Sequence, residues 1–274
     1  MRSLPPTMIN SLLTVLVALP FLHAMQAGKQ ATLPEFEVAS VRPSGPNQRE
    51  LNGLYTYPGG KVMCKGCRLQ YLIMVAFDVQ QFQISGGPSW IDLVGGARYD
   101  IEAIPPATSQ SIHSNPAIPK NPPNDEQRQM LQSLLIGRFH LKFHAETQEG
   151  PVYILTRKNK PLNLQASKDK NAYSWAGGIE GGPPDISGLR GTNISMPQLA
   201  FRISSWLKRP VLDQTGLQES YDFEYRMGID NDDPNADLVS SILTSLQGIG
   251  LNLKSTTGPV ETIRVDHVEQ PSPN

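Results

Sequence analysis

The stretch that decides the reading is "GPVYILTRK" (residues 150–158), because "GPVETIRVD" (258–266) repeats its outline. Each joins a Gly-Pro pair, which punctuates turns, to a run rich in the β-branched and apolar residues that suit a strand. Working outward from the two copies, the same series of elements precedes both.

In the first half, "LQYLIMVAF" (69–77) places Leu69, Leu72, Ile73, Ala76 and Phe77 on one helical face. A short strand precedes this helix. Another is expected at Gln81–Ser85, stopped by Gly86-Gly87-Pro88, and a third at "RYDIEAI" (98–104). After a proline-rich loop (105–123), Asn124 or Asp125 caps a helix whose buried stripe is Met130, Leu131, Leu134 and Leu135. "HLKFHAETQEGPVYILTRK" (140–158) then reads as a hairpin turning at Glu149-Gly150.

The second half runs in parallel. A strand leads to a Ser195 N-cap and a helix with Pro197 in its first turn and Met196, Leu199, Ala200, Ile203 and Leu207 inward. Strands follow at 210–213 and "YDFEYRM" (221–227). The next helix carries Leu238, Val239, Ile242, Leu243 and Leu246, and a second Gly-Pro hairpin closes the series. Tyr99-Asp100 falls where Tyr221-Asp222 falls, and Cys67 where Ile194 falls. The fold expected is α+β, two similar β-α-β-β-α-β-β lobes produced by internal duplication, with helices packed on antiparallel or mixed sheets. The lobes span 35–158, which includes a leading strand in "FEVASVRPS" (36–44), and 185–271. A Gly-rich linker, 159–184, joins them.

The N-terminus, 1–27, reads as an export signal. It has Arg2, an apolar run from Leu12 to Leu22, Pro20, and small residues that place cleavage after Ala24 or Ala27. The run falls short of the ~20 apolar residues of a comfortable membrane span. Membrane attachment is therefore expected only through an uncleaved signal, and no cysteine near the cleavage point offers a lipid anchor. The mature chain is expected in the periplasm or outside the cell. With a formal charge of −1 over 274 residues, it has no basic field to hold a polyanion, so no nucleic-acid partner is expected.

Few residues invite chemistry. Cys64 and Cys67 are the only cysteines. In an oxidising compartment they form a local disulfide, stay as buried thiols, or exchange disulfides from a helix N-terminus. His140, Lys142, His144 and Glu146 alternate along one strand face. Two imidazoles and a carboxylate there suit a metal, but the charge of Lys142 between them opposes a cation, and a solvated polar face is the simpler reading. Ser167-Lys168-Asp169-Lys170 fits the S-x-x-K pattern formally but lies in the expected linker, not at a buried helix N-terminus. No nucleotide, zinc-protease or nucleophile-elbow motif is present, and no cofactor or metal is expected. Trp90, Tyr99, Trp206 and Tyr221 are candidate recognition aromatics, with core packing as the alternative use of each.

"FEVASVRPS", "ISGGPSWID" followed by "YDIEA", "LQSLLIGRFHLKFHAET", "RPVLDQTGLQESYDFEY" and "GPVETIRVDHVEQPS" together resemble the DUF3738 family, exported proteins of soil bacteria abundant in Acidobacteria. The resemblance covers about Phe36 to Pro271. It implies export and offers no reaction. Some relatives carry a membrane sensor domain, which implies a sensor ectodomain as one alternative. His144 and Glu146 match family-typical positions, whereas Cys64 and Cys67 stand where the family has apolar or small residues. Each half also resembles, more faintly, the short N-terminal domain of secretins and TonB receptors, which implies a module that recruits protein partners. The function expected is non-catalytic binding of a protein or peptide of the cell envelope. An envelope hydrolase or a CxxC thiol oxidoreductase is the rival.

Overall fold

A computed structural model describes residues 33–45, 53–109, 123–158, 161–170, 172–179, 187–227 and 237–271. The expected export signal lies outside these residues. Among those described there are twelve strands: β1 (Val38–Pro43), β2 (Leu54–Thr56), β3 (Val62–Arg68), β4 (Ile84–Gly86), β5 (Arg98–Ile104), β6 (Lys142–Arg157), β7 (Gln165–Ala166), β8 (Trp175–Gly178), β9 (Gly188–Ser195), β10 (Val211–Asp213), β11 (Ser220–Arg226) and β12 (Leu251–His267). Four α-helices accompany them: α1 (Leu69–Phe77), α2 (Asp125–Phe139), α3 (Met196–Leu207) and α4 (Leu238–Gly248). The class is α+β. No helix among the described residues is long and apolar enough to cross a membrane.

Helices start where side chains supply the missing acceptors. Asn124 and Ser195 each accept the amide of the third helical residue, and Gln127 and Gln198 reach back to the cap amide, so both are complete capping boxes. Asp237 caps α4 by accepting the Ser240 amide at 2.7 Å. The expected stripes are buried: Leu69, Leu72, Ile73 and Ala76 on α1, Met130, Leu131, Leu134 and Leu135 on α2, and Met196, Leu199, Ala200 and Ile203 on α3.

The strands form three four-stranded sheets, ordered β1-β5-β3-β2, β10-β6-β12-β4 and β7-β11-β9-β8. The first and third have matching order. Both also carry a bulge at the same register: Cys64 pairs with Ile101 and Cys67 with Tyr99, while Gly191 pairs with Phe223 and Ile194 with Tyr221. A residue at positive φ makes each bulge, Gly66 in β3 and Asn193 in β9. Its amide is held by the aspartate of the Tyr-Asp pair. Gly66 N–H donates to Asp100 at 2.9 Å, and Asn193 N–H donates to Asp222 at 2.7 Å. A serine hydroxyl, Ser44 or Ser167, donates to the same carboxylate oxygen at 2.7 Å. The repeated Tyr-Asp is a backbone clasp.

Three expectations need correction. Residues 140–158 and 251–268 contain no Gly-Pro hairpins; β6 and β12 are single long strands that pair antiparallel along their whole length. The prolines do not break them, because of where their missing amides fall. Lys158 donates across the ladder to Gly250, and Tyr153 donates outward to Pro210, so odd-numbered residues of β6 turn their amides away from β12. Pro151 is one of these. By the same alternation Pro259 turns away from β6, and β10 and β4 are too short to reach either proline. No ladder hydrogen bond is lost, so the two strands run on through their prolines.

Second, the stretch 159–184 is more than a linker: it supplies β7 and β8, the two edges of the third sheet. Third, 81–85 begins as a 3-10 turn, and only Ile84–Gly86 is strand.

Two hydrophobic clusters result. One gathers α1, α2 and the first sheet; the other gathers α3, α4 and the third sheet. The central sheet feeds both. β6 follows Leu141 at the first cluster and ends with Leu155 in the second, whereas β12 begins with Leu251 and Leu253 in the second and brings Val265 to the first. Each core is completed by a strand from the other half, and the described residues form one compact unit. Side chains tie the halves further: Gln80 donates to the Phe201 carbonyl at 2.9 Å, and Gln83 to the Glu261 carbonyl at 2.8 Å.

Candidate functional site

Sheet edges are the natural recognition surfaces of such a fold. Five of the six edge strands, β2, β4, β7, β8 and β10, have two to four residues. β1 has six and, among the described residues, pairs only with β5. Ser44 beyond its end donates to Arg98, so even-numbered residues of β1 bond β5 and odd-numbered ones, Ala39, Val41 and Pro43, turn outward. Arg138 of α2 donates to the Ala39 carbonyl at 3.2 Å. Val38 lies opposite Ile104, and the two are 58% and 43% exposed, an apolar pair at one end of the edge. Sequence reasoning expected this strand but missed the edge, which only sheet order reveals.

The aromatic candidates do not converge. Tyr99 is buried, edge-to-face on Phe139 with centroids 5.1 Å apart. Trp90 is half-buried against the first core, and Trp206 and Tyr221 are half-buried against the second. Each packs against one of the two cores.

Cys64 and Cys67 are joined as a disulfide across the β3 bulge. Both are buried, at 0% and 5% exposure, and Cys67 immediately precedes the α1 cap Arg68. An attacking thiolate needs access to sulfur, and this placement denies it.

His144 and Glu146 do come together, at the surface end of the central sheet. His144 Nδ1 lies 2.8 Å from Asp266, and Nε2 lies 3.0 Å from Glu146. Hydrogen bonds to Asp266 first and Glu146 second raise the imidazole above its ordinary value, since both favour the charged ring. Nearby, Glu269 accepts from both His140 and His267. These are hydrogen-bonded pairs at the exposed surface. Among the described residues no group of three or more His, Cys, Asp or Glu side chains is placed to hold a metal.

The S-x-x-K residues have separate partners. The Ser167 hydroxyl donates to Asp222, while Lys170 pairs with Glu219 at 3.1 Å.

Two shallow depressions, of about 400 and 190 Å³, share Arg190 on the outer face of the third sheet. Trp175, Thr192, Glu224 and Arg226 line them. Sequence reading passed over Trp175 because its segment looked like linker. The available signal was the aromatic with glycine two residues on, "WAGG".

The family model described as "Protein of unknown function (DUF3738)" matches residues 70–268. No curated protein and no solved structure matches the chain.

Proposed function

The chain belongs to the DUF3738 family of proteins of unknown function, and from that premise we propose that it is an exported, non-catalytic binding module of the bacterial cell envelope. Its ligand is an extended protein or peptide segment added as a fifth strand beside β1. The observation that carries this reading is the contrast among edges, one of six residues against five of two to four. An incoming strand gains main-chain hydrogen bonds from Ala39 and Val41 and brings its side chains beside exposed Val38. It competes with Arg138 for the Ala39 carbonyl, which blunts the empty edge.

Two further points support the reading. The likeness of each half to the short N-terminal domain of secretins and TonB receptors favours a partner-recruiting module. The matching sheet orders and bulges favour descent of the halves from one duplicated unit. The N-terminal signal carries the export claim, and N-terminal sequencing of the mature protein is its check: a start after Ala24 or Ala27 is expected.

The binding claim is tested by a photo-crosslinking residue placed at exposed Arg42 on β1, with exposed Val94 as control, in living cells. A discrete adduct from position 42 that Val38→Lys abolishes is the expected result. Equal labelling from position 94, or no adduct at 42, removes the proposal.

A further inference from the structure

The outer face of the third sheet carries a second site, remote in sequence from β1. Side chains alternate across a sheet, so its solvent face is set by register. Trp175 pairs with Thr192 and Gly177 with Arg190, while Arg190 pairs in turn with Glu224. One row therefore runs from Trp175 on β8 across Arg190 and Thr192 on β9 to Glu224 and Arg226 on β11. Asn163 and Gln165 extend it at the β7 edge. Four strands at the usual spacing make this row about 14 Å long.

Its chemistry is specific. The six-membered ring of Trp175 lies on Gly177; a Cβ there would sit 2.4 Å from the indole Cζ2. Glycine thus lets the indole lie down against the strand, and the tryptophan lines the depression instead of standing clear of it. Beyond it, Glu224 accepts an Nε–H from Arg190 at 2.8 Å and from Arg226 at 2.9 Å. With Asp222 at the far end, two guanidinium groups meet two carboxylates, so the face has no net charge. It offers donors and acceptors side by side, held in place by their own pairing, beside an aromatic plane.

A flat aromatic next to a charge-balanced set of planar polar groups complements a ligand with an apolar ring face and a rim of hydroxyls. We infer that the third sheet's outer face binds a neutral saccharide chain, with one sugar ring seated on Trp175 and hydroxyls bonded to Arg190, Glu224 and Asn163. A charged polymer is disfavoured, because the face has no excess charge to attract it. The site is independent of strand addition at β1.

The test titrates the full mature chain, its tryptophan indoles labelled with nitrogen-15, with cello-, xylo-, malto- and chito-hexaose. Polygalacturonate and polyglutamate serve as charged controls. The chain has three tryptophans, so three indole signals are available, and Trp175→Phe assigns one of them. The expected result is a saturable shift of the Trp175 signal with at least one neutral hexaose. Trp175→Ala then weakens binding by about fivefold or more, and Trp175→Phe retains most of it. Absence of a Trp175 shift with every neutral sugar overturns the inference without need of any variant. So does a response to the charged polymers alone, or undiminished binding by a Trp175→Ala protein that unfolds at the wild-type temperature.

Discussion

Gly150 and Gly258 face each other at the middle of the ladder between β6 and β12. Each leaves room for a valine of the opposite strand. A Cβ on Gly150 would lie 3.0 Å from Val260 Cγ2, and one on Gly258 would lie 3.1 Å from Val152 Cγ2. The surroundings differ, since Val152 is fully buried and Val260 is half-buried. Gly258→Ala is therefore expected to destabilise by about 1–3 kcal/mol, as overpacking does in a core that cannot give. Gly150→Ala is expected to cost at most about 1 kcal/mol, because Val260 can turn toward solvent. Urea unfolding of the two variants makes the comparison; equal losses would show that the two valines yield alike.

The bulge clasp in β9 depends on one carboxylate. Asp222 accepts the Asn193 amide and the Ser167 hydroxyl, and those bonds, the amide first, hold its carboxyl below the ordinary 3.8. Asp222→Ala leaves the amide at the bulge without its acceptor and is expected to cost about 1–3 kcal/mol. The sign with pH follows from the depressed value. The stabilisation is present above the carboxyl value of the unfolded chain and is lost as pH falls through the lower folded value. Unfolding measured at pH 7 and pH 3 should show a larger drop for the wild type than for Asp222→Ala.

His144 works in the opposite sense. Its value is raised by Asp266 and Glu146, so its contribution is full below the ordinary imidazole value of 6.5 and disappears as pH rises through the higher folded value. Asp266→Asn removes the larger cause. An NMR titration of the ring should move down toward 6.5 in that variant and stay above it in the wild type.

The Cys64–Cys67 bridge closes a very short loop. Chain-entropy reasoning gives a loss of about 2 kcal/mol for the double alanine variant, with no effect on crosslinking at β1. Thermal unfolding with and without reductant checks the first point. A wild type insensitive to reductant and a variant of unchanged stability would together remove the bridge from the account of stability.

Helices were legible in the sequence because their information is local. Stripes such as Leu69, Leu72, Ile73 and Ala76, and caps such as Asn124 and Ser195, depend on residues within a turn or two. The clasping role of Asp100 and Asp222 was not legible, although the repeated Tyr-Asp was seen, because it depends on a bulge in a different strand. Trp175 was missed for a related reason. A four-residue strand in a Gly-rich stretch has little periodicity of its own and is held by its partner β9.

The sequence by itself determined the class, the places of the four helices, the Ser195 cap of α3, and the recurrence of the Tyr-Asp and Gly-Pro pairs. These follow from periodicity and from side chains acting on their neighbours in the chain. Only the tertiary structure decided that the two Gly-Pro stretches are the midpoints of long strands paired with each other, so that each core borrows a strand from the other half. Whether a proline ends a strand depends on which way its missing amide faces and on whether another strand stands there. That is a fact of packing, written nowhere within reach of the proline itself.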